Sequence, residues 1–366
     1  MLHAIIMAGG SGTRFWPASR TDTPKQLLRL VGRESMLRQT LDRLGDLVPN
    51  ERRLVVTNER LVEAVRTQLP ELPAASIVGE PCKRDTAPCI GLAALLVSRG
   101  DPHATMAVMP SDHVIQPAEN FRAAIRQAAA LVEDSPQRIV TFGIKPTYPA
   151  ETFGYIHRGA ALAPLASSQQ SPQVAPAYKV KRFKEKPDTA TAQEYLAAGE
   201  YYWNAGIFVW PAATILDALR QRQPEMVAHL QKIVDAWDTN ERNGVFTREF
   251  AAVNPISIDY AVMEHASDVV VIEAPFEWDD LGGWQSLARL AGYDEHGNTV
   301  IGKHMALNTE GSIVRTTDDH LVVTLGLRDC IIVHTHNATL VANKHDEEQI
   351  RHLVKQLEEL GWTEHL

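Results

Sequence analysis

Cysteine is scarce in this chain: Cys82, Cys89 and Cys330 are the three among 366 residues, with no C-x-x-C pair and one left over from any single disulfide. They read as reduced core or surface thiols of a cytoplasmic protein rather than as a disulfide framework. Long apolar runs are missing too. The N-terminal "AIIMA" (4–8) has no basic flank and is too short for a signal peptide or a membrane span, so a soluble protein is expected. Positive charge is not in excess: 36 Lys and Arg against 45 Asp and Glu leave a net charge of −9. An acidic surface argues against nucleic acid as the main partner. Two common phosphate-binding fingerprints also fail. After "GGSGTR" (9–14) no Gly-Lys-Ser/Thr follows, so there is no P-loop. Counting from Gly10 and Gly12, the third glycine position of a dinucleotide fingerprint is Phe15.

What remains is a chain that is 45% hydrophobic and long enough for about two domains. In the first 145 residues, β-type runs ("AIIMA", "RLVVT", "SIVGE", "TMAVM", "RIVTFGI") alternate with helical patterns. One of these places Leu37, Leu41 and Leu44 on one face behind Ser35 as a cap; "APCIGLAALLVSRG" and "AENFRAAIRQAAALVED" are two more. Such alternation predicts an α/β fold, a mainly parallel Rossmann-like sheet with helices on both faces. Ligands of these sheets bind beyond the carboxyl ends of the strands, which puts "GGSGTR" and "PSDH" (110–113) on one rim. The middle part departs from this rhythm. "ETFGYIHRG" and "YKVKRFKEKP" predict an antiparallel pair joined by the mobile Ser/Gln/Pro/Ala-rich loop 163–177. A helix at 188–199, a strand at 206–210, one long helix near 212–237 and a strand at 268–278 follow. From about 297, short β runs separated by Gly, Asn and Asp predict a small β-helix or β-roll. The tail carries Ile350, Leu353, Val354, Leu357 and Leu360 on one face of an amphipathic helix, docked on the protein or serving a dimer contact. The expected division is 1–290 (1–145 for nucleotide, 146–290 for sugar) and 291–366.

A glycine-rich turn leaving a strand wraps backbone donors around phosphate oxygens. Arg14 adds a planar fork and Lys25 a compact charge. The full pattern, G-G-x-G-x-R followed by Pro24-Lys25, resembles the signature of the sugar-1-phosphate nucleotidylyltransferases. "EPCKRDTAP" (80–88), "MPSDH" (109–113), "FKEKP" (183–187), "WNAGIFVW" (203–210), "SIDYAVME" (257–264) and "WDDLGGW" (278–284) narrow the resemblance to the mannose-1-phosphate guanylyltransferase branch, in its order and over essentially the whole chain. Larger members carry a phosphomannose isomerase domain after the β-rich region; the chain stops before one, which implies the single-function form.

The resemblance implies GTP and mannose 1-phosphate as substrates, Mg²⁺ as cofactor, and a cytoplasmic homodimer without nucleic-acid or membrane partners. It implies that Gly9, Gly10, Ser11, Gly12 and Thr13 hold nucleotide phosphates, that Arg14 binds the β- and γ-phosphates, and that Lys25 sits on the α-phosphate. Asp112 and Asp280 would hold the metal, with Asp279 the neighbour that competes for the assignment. Glu80, Arg84, Asp85 and Thr86 would contact the base. Gly154, Tyr155, Glu185, Lys186, Asn204 and Gly206 would meet the sugar and its phosphate, with Asp259 and Tyr260 in support. Two positions depart from the family: Asp85 stands where Asn is usual, and Phe153 where many relatives have glycine. The same chemistry on UTP or dTTP with glucose 1-phosphate is an alternative. So is a non-catalytic regulatory paralogue, which the presence of Arg14, Lys25, Asp112 and Asp280 disfavours.

Overall fold

In a computed structural model, which describes residues 1–10, 12–163, 174–317 and 319–366, the chain divides into two compact units. The first comprises Met1–Gly9, Asp42–Pro110 and Ile115–Trp278; the second comprises Gly10–Leu41, Ser111–Val114 and Asp279–Leu366.

The β-branched and apolar runs of the first unit form one nine-stranded sheet. Its strands are β1 (Leu2–Ala8), β2 (Arg53–Asn58), β3 (Ile77–Glu80), β4 (Thr105–Pro110), β5 (Ile139–Ile144), β6 (Tyr155–Ala161), β7 (Ala177–Lys184), β8 (Tyr201–Pro211) and β9 (Val269–Glu273). The order is β3-β2-β1-β4-β8-β5-β9-β7-β6, and β6 also pairs with β8. The expectation of a mainly parallel sheet describes β1 to β4, where strands alternate with helices and neighbours run parallel. The sheet as a whole is mixed. β8 runs antiparallel to β4, β5 and β6, and β7 antiparallel to β6 and β9. Ala4, Ile5 and Ile6 are consecutive and fully buried, as a strand covered on both faces requires. The loop expected between β6 and β7 falls largely on 164–173, outside the described residues.

Helix Thr86–Gly100 is buried from Ala87 through Leu95, so it is apolar on all sides and lies inside the unit. A Cβ on its Gly91 would come within 2.8 Å of Leu230 Cδ1 and 3.3 Å of Leu219 Cδ1, so glycine there lets two further helices approach closely. Those two, Ala212–Arg222 and Pro224–Asp235, replace the single long helix expected near 212–237. The break has a local cause. Pro224 has no N–H to donate and pushes the preceding Gln223 out of helical conformation, to φ −134° and ψ 55°.

In the second unit, Ser35 caps helix Met36–Leu44, its Oγ accepting from the Arg38 N–H at 3.1 Å. The β-rich part forms rungs: β10 (Thr299–Ile301), β11 (Lys303–Leu307), β12 (Ile313–Thr316), β13 (Leu321–Leu325), β14 (Cys330–His334) and β15 (Thr339–Asn343). β10, β12 and β14 stack in parallel, as do β11 and β13, while β15 returns antiparallel on β14. Ile313 pairs with Thr299 and with Ile331, so successive rungs are unequal in length, which is why no repeat length is legible in the sequence. Ile313, Ile331, Val333 and Leu340 meet Phe15, Trp284, Ile350 and Leu357 in one apolar cluster. The C-terminal helix, Ile350–Glu359, is thereby docked within its own unit through Ile350 and Leu357; Leu360 lies beyond its end and is exposed.

Gly302 turns the corner between β10 and β11 at φ +116°, where a Cβ would strike the Thr316 side chain and come within 2.8 Å of its carbonyl oxygen. Gly302→Ala is expected to destabilise the second unit by about 1–3 kcal/mol. Thermal unfolding of the variant, followed by calorimetry, checks this.

Candidate active site

The phosphate group of residues lies in the second unit and is built on a glycine. Gly12 sits at φ 60° and ψ 31°, left-handed backbone that favours glycine. A Cβ at this position would collide with Lys25 Cβ and lie 3.0 Å from the Lys25 nitrogen. Two motifs separated along the sequence are thus pressed together at a point where no side chain fits. The Gly12 carbonyl accepts from the Phe15 N–H at 3.0 Å and from Ser19 Oγ at 2.8 Å, which fixes the turn carrying Thr13 and Arg14. Gly10 is exposed beside it; Ser11 lies outside the described residues.

Lys25 is 6% exposed, and a buried ammonium requires partners. It donates to Asp112 Oδ2 at 2.7 Å and to the Asp280 carbonyl oxygen at 2.5 Å. Burial pushes the Asp112 carboxyl up, but Lys25 and His113 outweigh it and hold it below the usual carboxylate range. Asp280 moves the other way. Burial, with the like charges of Asp279 and Asp112, raises it against the pull of Lys25 and Arg14. Asp279 and Asp280 differ in their partners. Asp279 accepts from the Leu281 N–H at 2.7 Å and from Arg289 Nη2 at 3.3 Å, so it holds the loop, whereas the Asp280 carboxylate faces the cationic group. Arg14 pairs with Glu348 at 2.9 Å.

Among the described residues no cluster of three or more His, Cys, Asp or Glu is arranged to hold a metal ion. A cation here would have Asp112 and Asp280 as protein ligands, both hard oxygen donors. That set suits Mg²⁺, which takes one or two carboxylates and completes its shell with phosphate oxygens and water.

The base and sugar candidates lie in the first unit. Glu80, at the end of β3, is 8% exposed and its Oε1 has no hydrogen-bond partner. Burial pushes its carboxyl up to about 8, so near neutral pH it keeps a proton and offers both a donor and an acceptor. A Cβ on Gly9 would lie 3.9 Å from Glu80 Oε2. The rest of that motif is engaged in holding the loop. Arg84 donates to the carbonyls of Phe250 (3.2 Å) and Ala251 (2.5 Å), the C-terminal end of helix Arg242–Ala252. Asp85 caps helix Thr86–Gly100, accepting from the Thr86 N–H at 2.8 Å with its own backbone at φ 68°. Thr86 Oγ1 accepts from the Ile258 N–H at 2.8 Å, tying the loop to the segment that carries Asp259.

Asn204 is the centre of the sugar group. Its Oδ1 faces two donors, Thr141 Oγ1 at 2.9 Å and the Gly206 N–H at 3.2 Å. Because the backbone N–H can only donate, the amide orientation is fixed, and Nδ2 points to Asp259 Oδ1 at 3.1 Å. Glu185 is buried, its N–H donates to Glu264 Oε1 at 3.1 Å, and its Oε1 pairs with Lys186 at 3.0 Å. Burial and the neighbouring Glu185 carboxylate raise Asp259. Burial alone would lower Lys186, but Glu185 and Asp259 keep it above the usual lysine range. A Cβ on Gly154 would lie 2.5 Å from Glu185 Oε2, so glycine there leaves room for the carboxylate. Tyr155 is fully buried against Tyr195 and belongs to an aromatic core with Trp203. Phe153, one of the two positions expected to depart from the family pattern, packs on Trp203 (5.0 Å) and Trp278 (5.3 Å) in the same cluster. Tyr260 is exposed. Thr141 and Glu264 were not singled out in the sequence; Glu264 was legible as the last residue of "SIDYAVME", whereas Thr141 has no local signal.

Residues 3–296 match the nucleotidyl transferase family, and residues 302–357 match the MannoseP isomerase/GMP-like beta-helix domain. The xanthan biosynthesis protein XanB of Xanthomonas campestris pv. campestris (strain B100) is 39% identical, over 98% of this chain and 74% of that protein. The mannose-1-phosphate guanylyltransferase of Escherichia coli (strain K12) is 38% identical, over 100% of this chain and 75% of its own length. A crystal structure from Thermus thermophilus, described as a mannose-1-phosphate geranyltransferase, superposes with a TM-score of 0.83 at 33% identity, over 98% of this chain and 99% of that one. With whole-chain identity at this level and the family's motifs gathered in the two clusters above, the chain belongs to the nucleotidyl transferase family, in its mannose-1-phosphate guanylyltransferase branch.

Proposed function

We propose that the protein transfers GMP from GTP to α-D-mannose 1-phosphate, giving GDP-mannose and pyrophosphate. The observation that carries this reading is the buried Lys25 ammonium joined to both Asp112 and the Asp280 loop, with Arg14 in the same unit. A phosphate oxygen of the sugar phosphate attacks the α-phosphorus; the bond from that phosphorus to the β-bridging oxygen breaks, and pyrophosphate leaves with the electron pair. The nucleophile is already an anion, so no general base is needed. The task is to gather polyanions and hold the charge that develops on the leaving group.

In this reading the backbone N–H groups of Gly9, Gly10, Gly12 and Thr13 hold the triphosphate, Arg14 steadies the β- and γ-phosphates, and Lys25 sits on the α-phosphate. Mg²⁺ held by Asp112 and Asp280 would neutralise phosphate charge when bound. Glu80 reads the base. Glu185, Asn204 and Asp259 accept from or donate to sugar hydroxyls, and Lys186 meets the sugar phosphate. A nucleoside triphosphate substrate and three free cysteines fit a cytoplasmic location; no helix among the described residues is long and apolar enough to cross a membrane. A homodimer completes the proposal. Met305, Leu307, Leu321, Val323 and Leu325 on β11 and β13 form an exposed apolar strip on the rungs, which supports self-association there.

Pyrophosphate release across a matrix of four nucleotides and several sugar 1-phosphates tests the assignment: turnover is expected to peak with GTP and mannose 1-phosphate, and no turnover with any pair overturns it. Lys25→Ala is expected to lower kcat by about 10²–10³-fold. Asp112→Asn should depress turnover with the fold intact, and near-normal activity at low Mg²⁺ would sink the metal assignment. Gly154→Ala, which displaces Glu185, should raise KM for mannose 1-phosphate more than KM for GTP. In sedimentation, the wild-type chain should run as a dimer and the Leu321→Asp, Val323→Asp double variant as a monomer.

A further inference from the structure

Two consecutive glutamates, Glu347 and Glu348, stand on a 3-10 turn, Lys344–Gln349, that follows β15. Neither belongs to a motif of the family resemblance, yet both reach the phosphate group of residues within the second unit. Glu348 pairs with Arg14 and, through its other oxygen, with Arg351 at 3.3 Å. Glu347 is 9% exposed and serves the "DDLGGWQ" loop. Its Oε1 accepts from the Gln285 N–H at 3.1 Å and its Oε2 from Gln285 Nε2 at 3.1 Å; Nε2 also donates to the Lys344 carbonyl at 2.9 Å.

The helix that begins in this loop, Trp284–Ala291, has no side-chain cap of its own: Gly283 precedes it and offers none. Its first N–H groups need an acceptor, and a carboxylate from elsewhere in the chain meets that need with the favourable sign for a helix N-terminus. The approach is close. A Cβ on Gly283 would collide with Glu347 Oε1 and come within 2.6 Å of its Cδ. Gly283 has φ −175°, extended backbone that any residue adopts, so the second glycine of "LGG" is there for space. The neighbouring Gly282 is less tightly held: a Cβ there would lie 3.3 Å from Arg14 Nη1 and 3.6 Å from both Asp280 carboxylate oxygens.

We propose that Glu347 is a positioning residue for phosphate transfer, which caps the Gly283–Gln285 turn and thereby fixes the loop that presents the Asp280 carboxylate beside Arg14. The inference rests on the reading of Asp280 as a cation ligand. It makes the segment after the rungs part of the phosphate-handling apparatus and not only a docked tail.

The test compares wild type, Glu347→Gln, which keeps one acceptor, and Glu347→Ala, which keeps none. Substitution of a residue that orients a ligand typically costs about 10–100-fold in affinity or activity. The expected result is a graded fall in kcat, about tenfold or more for Ala and less for Gln, with a rise in the Mg²⁺ concentration for half-maximal rate and KM for mannose 1-phosphate within about twofold of wild type. Calorimetric titration with Mg-GTP, sugar omitted, should show weaker binding in the same order. A cap with no positioning role would lower Tm while leaving kcat, Mg²⁺ dependence and Mg-GTP affinity unchanged in the folded protein, and that outcome overturns the proposal. Should the Ala variant not fold, the Gln variant decides alone. Wild-type turnover separates the two readings: if wild type turns over no substrate pair, the functional assignment fails, while the Mg-GTP titration still judges Glu347.

Discussion

A lysine with almost no exposed surface imposes conditions on everything around it. Taking an ammonium out of water is costly unless oxygen acceptors replace the water. At Lys25 the replacements come from two distant parts of the chain, a carboxylate at Asp112 and a backbone carbonyl at Asp280. Each contact constrains its own segment. Asp112 must stand two residues past the end of β4, Asp280 must turn its carbonyl toward the ammonium, and Gly12 must lack a side chain so that Lys25 can reach its place. Removing either acceptor would leave the buried ammonium with one partner fewer. The pairing also bears on the opposite behaviour of the two carboxyls: Asp112 has the ammonium as a direct hydrogen-bond partner and is held below the usual carboxylate range, whereas burial and the like charges of Asp279 and Asp112 raise Asp280 against the pull of Lys25 and Arg14.

The polar chain of the first unit obeys a different logic. Thr141, Asn204 and Asp259 are linked in series, and the direction of the series is set by one backbone N–H, that of Gly206. Gly206 has φ 67°, which turns its N–H back toward the Asn204 side chain. A conformational property of one glycine therefore determines which face of an amide a ligand would meet. Asp259 and Glu185 then place two carboxyls close together beside one lysine, and burial with the neighbouring Glu185 charge raises Asp259 above the usual carboxylate range.

Much of this architecture was legible in the sequence, for identifiable reasons. The first strands and helices follow from periodicity because their burial is regular. Lys25 stands out as a cation in the motif after the glycine-rich turn, whereas the roles expected of Asp112 and Asp280 come from the family resemblance and not from local chemistry. What escaped notice depends on tertiary approach. Arg84 is expected to contact the base, but its guanidinium lies on the carbonyls of Phe250 and Ala251, which no local pattern announces. Tyr155 reads as a sugar contact, yet β6 turns it into an aromatic core. The break at Pro224 was visible in principle, since a proline inside a helical pattern marks a boundary; the amphipathic period on either side obscured it. The rungs could be recognised but not spaced, because their lengths differ.

The turn that carries Glu347 and Glu348 repeats every three residues, so adjacent side chains diverge by about a third of a full rotation. Two neighbouring carboxylates can therefore serve two different loops, and each does so only in the present phase. The number of residues from Asn343, the end of β15, to Glu347 thus becomes a quantity under constraint: gaining or losing one residue there would rotate the pair, sending the carboxylate that now caps Gln285 away from it while the composition of the segment stayed nearly the same. In a region that otherwise tolerates rungs of unequal size, this is the point at which counting residues matters most.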